Sequence, residues 1–445
     1  MPSTSLSYRT AIRLGTVLAP AIARTRPRLR AGLVARSGVL DRLSGWARGG
    51  RDPARPLLWM HAPSVGEGRQ AEIVLRALRA ANPGWQIAYT HTSPSAAALA
   101  ADQPADVADY LPWDRPRDVA AALDALRPAA LVCCKLDLWP ELATRAAARG
   151  VAVGLIAATV SPQSSRLRWP ARALLRPGYE VVALAGAIAE EDAQRLTLLG
   201  VPRARIEITG DPRFDSVRAR VRAIAPDDPL LARVAGGTTL VAGSTWPEDE
   251  AALLRAFRAV RAARPDVRLV LVPHEPTSER LARLDDLAKS LGLETPRRLS
   301  ACDGPQPLLV VDKVGVLATL YAPAAIAYVG GGYGTAGLHS VLEPAACGVP
   351  VLFGPRWQSS ADAGTLLEYR AGAVVSPDFP DWLDLDSDST HAGASPLAAI
   401  WLALLRNPGH ARAAGQRALE CVEAGVGAAA RNADLVERLM ARRAR

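Results

Sequence analysis

Lysine is almost missing from this chain. Lys135, Lys289 and Lys313 stand among 53 basic residues, a scarcity that reads as codon bias and carries no functional message. Cysteine is sparse too: five are scattered, with Cys133-Cys134 inside an apolar run and no C-x-x-C pair. That excludes a zinc ribbon or a disulfide scaffold and favours a reducing compartment. Six histidines form no H-E-x-x-H or other ligand pattern, so no metal site is expected. Two D-x-D strings, Asp384-Leu-Asp386 and Asp386-Ser-Asp388, fall in an acidic, Ser-rich stretch at 380–396 that reads as a solvated loop. Long apolar runs are missing as well. Leu14 to Ala23 spans about ten residues and contains Gly15, Thr16 and Pro20, against the ~20 that a spanning helix needs. Arginines follow it at once, which argues against a signal peptide.

The positive charge that is present is unevenly placed. Residues 1–60 hold eleven arginines against Asp41 and Asp52, which equals the whole net charge of +9, so residues 61–445 sum to zero. A basic segment on a neutral body is unlike a nucleic-acid-binding domain, whose basic stripe runs over the folded surface. It suits attachment to an anionic membrane surface. Leu29, Leu33, Val34, Leu40, Leu43 and Trp46, interleaved with Arg30, Arg36, Arg42 and Arg48, predict an amphipathic basic helix. The competing reading is a surface helix packed on its own domain.

From residue 56 onward, apolar strand-like runs alternate with helical patterns. Runs at 56–60, 85–89, 130–134, 151–156, 181–185 and 206–208 predict strands in a first half. Runs at 239–242, 267–272, 308–311 and 349–353 predict them in a second. Unalternating apolar strands with helical crossovers imply parallel sheets covered on both faces. The fold class expected is α/β, two Rossmann-like doubly wound domains facing across a cleft. The expected division is 1–55 as the basic segment, 56–225 as the first domain, and 238–445 as the second with closing C-terminal helices. The linker is expected near Arg220 to Gly237, on its prolines and glycines.

Two places carry chemistry. The stretch 326–354, IAYVGGGYGTAGLHSVLEPAACGVPVLFG, reads as strand, glycine turn, helix and strand, with His339 and Glu343 expected four residues apart on one helix face. Gly330, Gly331, Gly332, Gly334 and Gly337 are expected to let backbone approach a ligand. In His61-Ala-Pro-Ser-Val-Gly-Glu67 a carboxylate follows a strand's carboxyl end, well placed as a general base. Ser64-x-x-Glu67 is equally a helix capping box, and Ser340-x-x-Glu343 repeats the ambiguity.

HAPSVGE, the Ser93-Pro94-Ser95 turn, LPWD (111–114), KLDLWPEL (135–142), SPQSSR (161–166), GDPRFD (210–215), AGSTWPEDE (242–250), VPHEP (272–276) and GLHSVLEPAACGVPVLFGP occur in this order. Together they resemble the lipid A Kdo transferases, the 3-deoxy-D-manno-octulosonic acid (Kdo) transferases of Gram-negative bacteria, over about residues 28–375. The resemblance implies a GT-B fold with the acceptor on the first domain and CMP-Kdo on the second. It implies Glu67 as catalytic base, with Ser64, Ser93, Asp137 and Arg166 around the acceptor. Gly243 and Ser244 would meet the donor phosphate, His274 would line the donor site, and Glu343 would hold the ribose. Gly331, Gly332, His339 and Ser340 would shape the donor pocket. It implies transfer to a lipid A precursor without a metal or other cofactor, at the cytoplasmic face of the inner membrane, with no nucleic-acid partner. The chain departs from the family pattern at Lys135, where many members carry a carboxylate, and at Ala157, Thr159 and Ser340. The alternatives are another GT-B enzyme using a UDP-sugar, transferase or epimerase, or a non-catalytic membrane-surface protein with a degenerate nucleotide fold.

Overall fold

A computed structural model describes residues 3–442 except 237, 381 and 384–394. The chain divides into two units, one of residues 1–216 with 426–445, the other of residues 217–425. The D-x-D strings at 384–388 lie outside the described residues.

The first unit is built on β1 (Leu57–His61), β2 (Gln86–His91), β3 (Val107–Tyr110), β4 (Ala130–Cys134), β5 (Ala152–Ala158), β6 (Val182–Ala187) and β7 (Ile206–Ile208). They form one parallel sheet in the order β3-β2-β1-β4-β5-β6-β7. The second unit repeats the plan with β8 (Thr239–Thr245), β9 (Arg268–Pro273), β10 (Arg297–Arg298), β11 (Leu308–Val310), β12 (Ile326–Val329), β13 (Val351–Phe353) and β14 (Gly372–Val374). Their order is β10-β11-β9-β8-β12-β13-β14, again parallel.

The lack of alternation has a direct cause. Along β1, Leu57 and Trp59 enter the core on one face while Leu58 and Met60 enter the core on the other. In β8, Leu240 and Ala242 face one core and Val241 the other. Side chains of successive strand residues point to opposite faces, so a sheet buried on both sides needs apolar residues throughout. Sheet order then fixes where loops diverge. The first sheet reverses direction between β1 and β4, the second between β8 and β12. The crevice at such a reversal, beyond the carboxyl ends of the strands, is where doubly wound sheets bind ligands.

Several expectations change. The basic segment is not one helix but three: α1 (Leu6–Ala23), α2 (Pro27–Arg36) and α3 (Val39–Gly49). Gly38, at φ 71°, breaks the pattern between α2 and α3. Part of the expected linker is helical, since Pro212–Arg222 and Pro229–Val234 both form helices, each starting at a proline in the first turn. The helix Ala428–Ala441, expected to close the second domain, packs instead on the first sheet. Ala429, Ala433, Val436 and Met440 recur at helical spacing, and with Leu435 and Leu439 they cover the face made by Leu58, Met60 and Val132. Buried Asn432 of that helix accepts from the Ala157 N–H at 3.3 Å and from the Thr209 hydroxyl at 3.0 Å.

Candidate active site

In the first unit, β1 ends at His61 and the helix α4 (Val65–Ala81) begins after Ser64. Ser64 stands at the N-cap but makes no side-chain cap bond. Its hydroxyl donates to the Glu67 carboxylate, and Lys135 Nζ lies 3.0 Å from the other carboxylate oxygen. The expected capping box is therefore not formed, and Glu67 is held from the side by a hydroxyl and an ammonium. Burial raises the Glu67 pKa, but the Ser64 bond and the Lys135 charge outweigh it and hold the group below the ordinary carboxylate range. Glu67 is thus an ionised acceptor at neutral pH.

Next to it, Asp137 follows β4. His61 Nε2 lies 2.8 Å from Asp137 Oδ2, and the Trp139 indole N–H donates to the same oxygen at 3.3 Å. The ring of His61 is fully buried, with Nδ1 3.0 Å from the Thr90 carbonyl. Burial works against ionisation of Asp137, while the His61 and Trp139 bonds and the Arg166 charge keep its pKa low. Arg166 sits in the short 3-10 turn Ser165–Leu167 beyond β5. Ser93 follows β2, its N–H bonded to the Pro63 carbonyl at 2.8 Å, which fastens this loop to the one before α4. The carboxyl ends of β1, β2, β4 and β5 thus bring Ser64, Glu67, Ser93, Asp137 and Arg166 to one edge of the sheet. Lys135 was noticeable in the sequence only as a departure. Its pairing with Glu67 depends on β1 and β4 being neighbours, which no local pattern signals.

In the second unit, Gly243 and Ser244 end β8, and Ser244 is left-handed at φ 53°. His274 follows β9, stacked on Trp246 at 5.1 Å and 4.4 Å from the His339 ring. The Trp246 indole N–H donates to His339 Nε2 at 3.0 Å, so that nitrogen carries no proton. Burial, then the neighbouring His274, lowers the His339 pKa, and the ring is neutral near pH 7. Asp249 pins the glycine turn: it accepts from the Gly331 N–H at 2.8 Å, the Tyr328 hydroxyl at 2.7 Å and the Trp246 N–H at 2.9 Å.

Two expectations about this turn are corrected. The helix after it is short, Leu342–Ala346, so His339 lies in the preceding loop and shares no helix face with Glu343. Ser340 accepts from the Leu342 N–H at 3.4 Å in a local turn, not in a capping box. Glycine is required at 331 and 332 by the fold itself. A Cβ on Gly331 would lie 2.0 Å from the Gly337 carbonyl oxygen, and one on Gly332 2.7 Å from the Gly354 nitrogen. The close approach is backbone to backbone. Glu343 is paired with Arg220, a residue that the sequence reading did not single out. Trp246 and Asp249 were also missed as individuals, although the motif AGSTWPEDE contains both. Among the described residues, no group of three or more His, Cys, Asp or Glu side chains converges as a metal site would.

Residues 35–216 match the family model described as 3-deoxy-D-manno-octulosonic-acid transferase (kdotransferase). The 3-deoxy-D-manno-octulosonic acid transferase of Bordetella pertussis is 29% identical over 435 residues, covering 90% of this chain and 93% of that protein. The enzyme of the same name from Haemophilus influenzae is 27% identical, covering 67% and 70%. A solved UDP-GlcNAc 2-epimerase from Neisseria meningitidis, bound to UDP-GlcNAc, shares the fold with a TM-score of 0.59 at 12% identity, covering 86% of this chain and 99% of that one. With the two parallel sheets and the ordered motifs, these likenesses identify a GT-B type fold in a chain that is similar over most of its length to the 3-deoxy-D-manno-octulosonic acid transferases.

Proposed function

We propose that this protein moves Kdo from CMP-Kdo to a lipid A precursor, with Glu67 as general base. The observation that carries the reading is the Glu67 carboxylate itself. It stands at the reversal of the first sheet, ionised and free of capping duty, where a substrate hydroxyl could meet it. Glu67 would take the proton of an acceptor sugar hydroxyl as that oxygen attacks the anomeric carbon of Kdo. The bond between that carbon and the phosphate oxygen breaks, and CMP leaves with the electron pair. Gly243 and Ser244 lie at the reversal of the second sheet and would meet the donor phosphate, with the His274–Trp246–His339 stack meeting the neighbouring part of the donor. Glu343 would exchange its ion pair with Arg220 for ribose hydroxyls, leaving the guanidinium available to an anionic group. A single leaving phosphate can be stabilised by such donors, so no metal is invoked.

The acceptor side also supports a membrane setting. Leu14, Val17, Leu18 and Ile22 recur along α1 and are all exposed, with Arg13 and Arg24 beside them. A helix with an exposed apolar stripe and flanking arginines suits shallow attachment to an anionic leaflet, here the cytoplasmic face of the inner membrane. No helix among the described residues is long and apolar enough to cross a membrane.

The test is incubation with CMP-Kdo and tetraacylated lipid A precursor, followed by mass spectrometry for a product heavier by one or more Kdo units. Glu67→Gln should abolish transfer while CMP still protects the second unit against heat. Turnover above a few per cent of wild type in that variant removes Glu67 from the role. Protection by UDP instead of CMP would favour the UDP-sugar alternative.

A further inference from the structure

Beside the acceptor edge of the first sheet, α1, α2, α3 and the loop after β3 line an open cavity of about 800 Å³. That volume falls in the range of small-molecule sites, roughly 300–1,000 Å³. Its walls are mixed. Leu33, Val39 and Leu40 supply apolar surface, and the indole of Trp113 lies under the Arg36 guanidinium, 4.3 Å from its carbon. Arg24, Arg30 and Arg36 line it and form no close ion pair among the described residues, the Asp137 charge reaching Arg36 only from a distance, and Asp41 in the wall forms no close pair either. Arg115 and Asp118, also in the wall, neutralise each other at 2.6 Å. The Arg36 Nε is buried and makes no hydrogen bond. A cation placed on an aromatic face with an unused donor is arranged for an anion.

The position limits what the anion belongs to. The loop carrying Trp113 leaves the carboxyl end of β3, and Glu67 follows β1, two strands away on the same edge. At about 4.8 Å per strand the lateral offset is about 10 Å, the scale of a disaccharide. On α1, Thr16, Pro20 and Ala23 face the cavity, while Leu14, Leu18 and Ile22 are exposed on another side. The cavity therefore lies one helix away from the surface proposed to meet the membrane.

We infer that this cavity is a phosphate-and-acyl subsite, seating a phosphorylated, acylated end of the acceptor while its reactive hydroxyl reaches Glu67. The inference rests on the acceptor being an anionic phosphoglycolipid, as proposed above. The three arginines take the phosphate, and Leu33, Val39 and Leu40 take the first methylenes of a chain.

The probe is dodecyl phosphate below its micelle concentration, titrated calorimetrically into the full-length protein. Loss of one charge-assisted contact should weaken it about tenfold in Arg36→Gln and in Arg30→Gln. Arg30 is exposed on the rim, so its variant reports on the site even if Arg36→Gln folds poorly. Dodecyl maltoside should bind at least tenfold more weakly, and inorganic phosphate should compete at least tenfold more weakly than dodecyl phosphate itself. Equal binding of the maltoside, inorganic phosphate competing as well as dodecyl phosphate, or wild-type affinity in both variants would overturn the subsite. In turnover, Arg30→Gln should raise KM for the phosphorylated acceptor and leave KM for CMP-Kdo unchanged. An equal rise with the dephosphorylated acceptor would also overturn it. Arginine-dependent dodecyl phosphate binding in a protein without transferase activity would sink the proposed function and leave the subsite standing.

Discussion

Lys135, Ala157 and Ser244 are non-glycine residues with φ of 59°, 50° and 53°, and each sits at the carboxyl end of a site strand. The left-handed region costs an L-residue roughly 1–2 kcal/mol, so the surrounding fold must impose it. At Lys135 the result is visible: the turned backbone places Nζ against Glu67. This gives a pH prediction. With Glu67 as the proposed base, held below the ordinary carboxylate range, the acid limb of kcat/KM should lie at unusually low pH in the wild type. Lys135→Met removes the charge and leaves the burial, so the limb should move up. A pH profile with an unmoved limb would separate Lys135 from the base. At Ala157 the turned N–H is met by Asn432, from a helix 275 residues further along the chain.

Among the elements, α1 has the least local reason to lie where it does. Its exposed stripe does not pack, and it is fixed by polar contacts at its start. Thr4 and Arg9 bond to the fully buried Glu141, and the Tyr8 hydroxyl donates to Asp114 at 2.6 Å. Asp114 also accepts from the N–H groups of Glu141 and Leu142 at 2.9 and 2.8 Å. Burial nevertheless pushes its pKa up to about 6, with the Tyr8 and backbone bonds pulling the other way. A carboxyl whose pKa is raised by folding favours the folded state when protonated. That contribution is full below the unfolded pKa of about 4 and is lost as pH rises to about 6, up to ~3 kcal/mol in all. Thermal stability of the first unit should therefore contain a downward step between pH 4 and 6. Asp114→Asn should flatten it; the same step in that variant would assign the titration elsewhere. The expected helix carrying both His339 and Glu343 failed at this scale too. Tight backbone contacts of Gly331 and Gly332 consume the chain up to Ser340 before a helix can start.

For the whole molecule, charge placement is the most consequential feature. The +9 excess lies in residues 1–60, next to the exposed apolar stripe of α1. Each arginine near an anionic surface contributes about 1 kcal/mol, screened within a Debye length of about 8–10 Å. Replacing exposed Arg13 and Arg26, which lie outside the wall of the proposed subsite, with Gln should shift the protein from anionic vesicles to the supernatant in a sedimentation assay. Transfer to membrane-embedded acceptor should fall more than transfer to detergent-dispersed acceptor. Vesicle binding that persists unchanged near 1 M salt, where the Debye length is about 3 Å, would replace this account with deeper insertion of α1.

The sequence by itself determined the two doubly wound sheets, because burial on both faces forces unalternating apolar runs such as 130–134, which is β4 without adjustment. It missed the edge strands β3, β10 and β14, which are short and, in Val107–Tyr110, interrupted by Asp109. Ordered motifs likewise mark the loops after β1, β4, β8 and β12. Tertiary structure alone decided which residues meet there: Lys135 with Glu67, His61 with Asp137, Arg220 with Glu343. It also decided that the helix Ala428–Ala441 belongs to the first unit. The physical reason is the same throughout. Periodicity records whether a residue is buried, while strand order and crossover geometry decide against whom.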